Sequence, residues 1–111
     1  MARTGSNLRI NLSAIVYQED GVWIAHCLEL DIVAEGADTN DAIRSLVSLC
    51  DLQIKTALEE GDLKSVFRPA PPEVWQMFSS GRVLAEKKRA QGRPRFEAPV
   101  DRFEARGLAF A

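Results

Sequence analysis

Apolar and polar residues alternate early in the chain. Leu8, Ile10, Leu12, Ala14 and Val16 fall on one face at period two, with Arg9, Asn11 and Ser13 on the other. That spacing predicts a half-buried strand over residues 8–17. Gln18-Glu19-Asp20-Gly21 follows. An Asp-Gly pair between two apolar runs predicts a tight hairpin, with Gly21 accepting positive φ. The run Val22-Trp23-Ile24-Ala25-His26-Cys27-Leu28, rich in β-branched and aromatic residues, makes the return strand. A third short strand spans 32–35 and ends at Gly36.

The period then changes. After the candidate N-caps Asp38, Thr39, Asn40 and Asp41, the apolar residues Ile43, Leu46, Val47, Cys50, Ile54, Ala57 and Leu58 recur every three or four positions. They predict one long amphipathic helix that stops at Glu60-Gly61. Residues 62–72 are a proline-rich connector, since Pro69, Pro71 and Pro72 stop helix from running through. A second helix with Val74, Met77 and Phe78 on its apolar face is assigned to 73–91, where Gly92-Arg93-Pro94 ends it. Residues 92–111 read as irregular or weakly extended chain, in which Arg-Phe-Glu-Ala occurs twice, at 95–98 and 102–105.

The expected architecture is α+β: a three-stranded antiparallel sheet (β-β-β-α) over residues 1–61, with the long helix packed on one face. The connector, a C-terminal helix and a basic tail follow. A sheet covered by one helix keeps a second face. Either Val22, Ile24 and Leu28 or Trp23, Ala25 and Cys27 point toward the helix, and the pattern leaves both orientations open.

Composition narrows the class. The chain has 111 residues, enough for one compact domain. No apolar stretch reaches the roughly 18 residues that a membrane span needs. The alternating N-terminal segment is no signal peptide, so a cytoplasmic protein is expected. Two cysteines, Cys27 and Cys50, make no disulfide framework, and both thiols are expected free. With one histidine, no zinc site of the usual four-ligand kind is expected, and no cofactor is implied.

The formal net charge of −2 hides an asymmetry. Residues 1–81 hold six Lys and Arg against twelve Asp and Glu, a net of −6. Residues 82–111 hold eight against four, a net of +4. An acidic region suits a basic protein partner, and a basic one suits nucleic acid. Solvated charge and contact between the two regions are the competing explanations.

His26 lies near Glu29 and Asp31, but a general base needs a nucleophile or metal set that the sequence does not supply. The acids Glu29, Asp31, Glu35, Asp38 and Asp41 sit at strand ends and a helix start, where solvation and capping account for them. A two-metal nuclease site would need acids on the first strand, which carries none between Leu8 and Tyr17. No enzyme is therefore expected. Trp23, His26, Glu29, Asp31 and Glu35 are the candidate partner-binding residues, offering an acidic and partly apolar surface. Lys87, Lys88, Arg89, Arg93 and Arg95, with Phe96 among them, are candidates for phosphate contact and base stacking, a possible DNA contact through the tail.

Asp20-Gly21-Val22-Trp23-Ile24-Ala25-His26-Cys27-Leu28-Glu29-Leu30-Asp31, followed by Gly36-Ala37-Asp38-Thr39-Asn40-Asp41-Ala42, resembles the HicB-like antitoxin domain. The likeness covers residues 8–60. The family's usual order is a strand, a Gly turn, an aromatic-x-Ala strand, a Pro-Glu-Leu or similar step, then Gly-x-Thr-x-x-Glu-Ala opening a helix. Gly21, Gly36, Thr39 and Ala42 are its structural motif, with Thr39 as the helix cap. Leu28 stands where the family usually has Pro, and Asp41 where it has Glu. The resemblance implies a degenerate ribonuclease H-like fold and a homo-oligomer. It further implies capture of a small basic RNA-cleaving toxin of the HicA type. A stand-alone HicB-like protein without a toxin is the alternative. Full-length relatives carry a C-terminal DNA reader, and residues 73–91 offer one helix in its place.

Overall fold

Asp20 and Gly21 both hold positive φ, 52° and 81°, and turn β1 (Ile10–Glu19) back into β2 (Val22–Cys27). Two successive left-handed residues match the right-handed twist of the flanking strands, as the Asp-Gly pair predicts. In this computed structural model, which describes residues 9–87 and 96–108, β2 pairs antiparallel with β3 (Ile32–Gly36).

Helix α1 runs Thr39–Glu59. Its N-cap is Asp38, one residue before the Thr39 expected in that role. The Asp38 carboxylate accepts the Asp41 amide at 2.8 Å, and the Asp41 carboxylate accepts the Ala37 amide at 2.8 Å. A carboxylate at this position satisfies an orphan amide and also meets the positive end of the helix dipole. Ala42, Ile43, Leu46, Val47, Cys50, Ile54 and Ala57 form the buried stripe. Leu58, counted with them from its spacing, is exposed.

The C-terminal third departs from expectation. The second helix, α2, covers only Pro72–Ser80. Past Gly81 the chain forms β4 (Arg82–Lys87), and β5 (Val100–Gly107) lies within the expected irregular tail. The sheet therefore has five strands in the order β3-β2-β1-β5-β4, mixed rather than purely antiparallel, because β5 runs parallel to β1. Val83-Leu84-Ala85-Glu86-Lys87 suits a helix by intrinsic propensity, but pairing with β5 overrides it. β5 alternates from Arg102 onward, burying Phe103, Ala105 and Gly107. Sequence residues 10–36 thus begin a sheet that residues 82–107 complete.

Two layers cover that sheet. Leu12, Ala14, Val16, Ala25, Cys27, Phe103 and Ala105 join α1 in the main core. Trp23 and Ile32 pack against the same core, which settles the face of β2 left open by the sequence. The opposite face carries Ile15, Ile24 and His26, all buried. Arg106 also lies on this side and pins α2 to it. Its guanidinium sits 4.3 Å from the Phe78 ring centroid and donates to the Phe78 carbonyl at 3.2 Å. The two copies of Arg-Phe-Glu-Ala meet as well: the Phe96 and Phe103 rings are 5.7 Å apart and tilted.

Candidate partner-binding surface

The tight turn 28–31 joins β2 to β3 and carries two of the five candidate residues, Glu29 and Asp31. The Leu28 amide donates to the Ser13 carbonyl at 2.9 Å. The Glu29 carboxylate folds inward and accepts both the Ser13 amide at 2.7 Å and the Ser13 hydroxyl at 2.9 Å. Burial raises the pKa of Glu29, and the Ser13 bonds oppose that shift. The connector also leans on this turn, since the Arg68 amide donates to the Glu29 carbonyl and the Ala70 amide to the Leu28 carbonyl. Glu29 thus ties β1, the turn and the connector together.

Asp31 takes a left-handed conformation, φ 53°, which Asp tolerates better than most residues. Its carboxylate lies 2.6 Å from His26 Nε2, and because a carboxylate only accepts, that nitrogen carries the proton. His26 is 8% exposed.

Cross-strand registry places the rest. His26 pairs with Val33 and Ile24 with Glu35, so Val33 and Glu35 share the His26 face of the sheet. Val33 is 48% exposed, a large apolar residue that sequence analysis passed over. Its position two residues before Glu35 in a five-residue strand was the available signal. Trp23 lies on the other face, near Thr39 and Leu84. The structure therefore brings His26, Asp31 and Glu35 to one face with Val33, holds Glu29 in the turn, and separates Trp23 from them.

Beside the outer edge of β3 a shallow groove of about 670 Å³ runs between Val33 and Glu35 on one side and Arg44, Ser45, Ser48 and Leu49 of α1 on the other. Among the described residues nothing pairs with that edge, because β3 is the last strand of the sheet. Asp38 and Asp41 are occupied in capping α1, and Asp41 also holds Arg44 at 3.1 Å.

The motif residues have structural roles here. Gly21 closes the hairpin, Gly36 and Ala42 bring β3 against α1, and Thr39 opens that helix. Of the basic candidates, Lys87 ends β4 and only its backbone is described. Lys88, Arg89, Arg93 and Arg95 lie outside the described residues. Among the described residues no three His, Cys, Asp or Glu side chains are placed to hold a metal. No described helix is long and apolar enough to cross a membrane. The chain matches no protein-family model, no curated protein and no solved structure.

Proposed function

We propose that this chain is a non-enzymatic binding module that captures a small basic protein. The observation that carries the reading is the exposed Val33 beside Glu35 on β3, with Asp31 in the turn before it, in residues 1–81, whose net charge is −6. Complementary charge speeds encounter and fixes orientation, and a central apolar contact adds affinity. The resemblance of residues 8–60 to HicB-like antitoxins narrows the partner to an RNA-cleaving toxin of the HicA type, blocked by steric and electrostatic cover. A cytoplasmic setting and a homo-oligomer belong to the same proposal. Co-expression with a HicA-type toxin encoded beside it tests the reading. A complex that survives purification and no longer cleaves RNA is expected; full cleavage in the presence of this chain overturns it.

A second reading is favoured by topology. Lys87, Lys88, Arg89, Arg93 and Arg95 fall in or beside the connection between two paired strands, β4 and β5. A cation-rich connection anchored at both ends supports phosphate contact. If it operates, replacing these five residues by Gln lowers affinity for duplex DNA and flattens its salt dependence. An unchanged salt slope ends this reading.

A further inference from the structure

We draw no further inference here: the strongest candidate, the groove between the outer edge of β3 and α1 with the exposed Val33 and Leu49 along it, is lined by an acid, Glu35, and a base, Arg44, alike, and nothing in the structure shows what covers it.

Discussion

Gly36 closes β3 directly against the first turn of α1, and a Cβ placed on it would lie 2.7 Å from the Cα of Ala42. The obstruction is backbone, which cannot rotate away as a side chain can. Two motif residues six positions apart thus set the approach of helix to sheet.

Gly36→Ala should therefore cost stability at the upper end of the usual overpacking range, about 1–3 kcal/mol. Gly21 meets nothing within 4 Å, and its φ of 81° alone makes substitution costly. Gly21→Ala should cost about 1–2 kcal/mol. Urea unfolding of both variants compares them. A Gly36→Ala protein as stable as wild type would refute the steric account.

Asp51 on α1 holds the chain that leads into β5. Its Oδ1 accepts the Glu97 amide at 2.9 Å and the Ala98 amide at 2.8 Å. Asp51→Ala strands both donors and should cost about 1–3 kcal/mol. Asp51→Asn keeps the oxygen and should recover most of that. Amide exchange at residues 97 and 98 reads the effect locally, and unchanged protection in Asp51→Ala would count against it.

Phe103, 1% exposed, sits in a strand between β1 and β4. Phe103→Ala should cost about 3–5 kcal/mol. Removing residues 96–111 deletes an interior strand, and cooperative unfolding should disappear. A truncated chain that still melts cooperatively would show the first four strands to be independent. For the same reason, charge replacement rather than deletion is the fair test of nucleic-acid contact.

Burial raises the folded-state pKa of Glu29 above its ordinary value of 4.5. A carboxyl shifted upward stabilises the fold fully below its unfolded value, and that contribution is lost as pH rises through the folded one. Glu29→Gln can keep an acceptor for Ser13 without the charge. Relative to wild type it should gain stability over the interval in which pH rises from the ordinary glutamate value of 4.5 through the raised folded one. Parallel denaturation profiles for the two proteins across that interval would sink the argument.

Cys27 and Cys50 are both free and buried. Contact with the Cys27 thiol, and then burial, push the Cys50 thiol far above the ordinary range. Both side chains are shut off from solvent, so neither cysteine should react with Ellman's reagent in the native chain, and both should react once it is unfolded. Rapid native labelling of either would contradict the packing.

The local patterns were legible where a segment answers to its own spacing. Period two over Leu8–Val16, the Asp20-Gly21 turn and the stripe from Ile43 to Ala57 each record which side of a segment is buried, and β1, the hairpin and α1 follow from them. The connector's prolines likewise marked a break in helix. Asp38 displaced Thr39 as the cap by one residue, a choice among neighbouring oxygens that spacing does not decide.

The rest depended on partners distant in sequence. Val83 to Lys87 prefers helix in isolation and becomes strand because β5 offers it backbone hydrogen bonds. β5 is placed by β1, some ninety residues earlier in the chain, with Ile10 opposite Val100. The candidate surface has the same origin. Trp23 and Glu35 fall on opposite faces, and Val33 reaches the surface beside Asp31, because registry between strands assigns faces. Residue spacing carries the period of an element. Which edge it pairs with, and which face it leaves open, is decided by hydrogen bonds and burial shared with residues far along the chain.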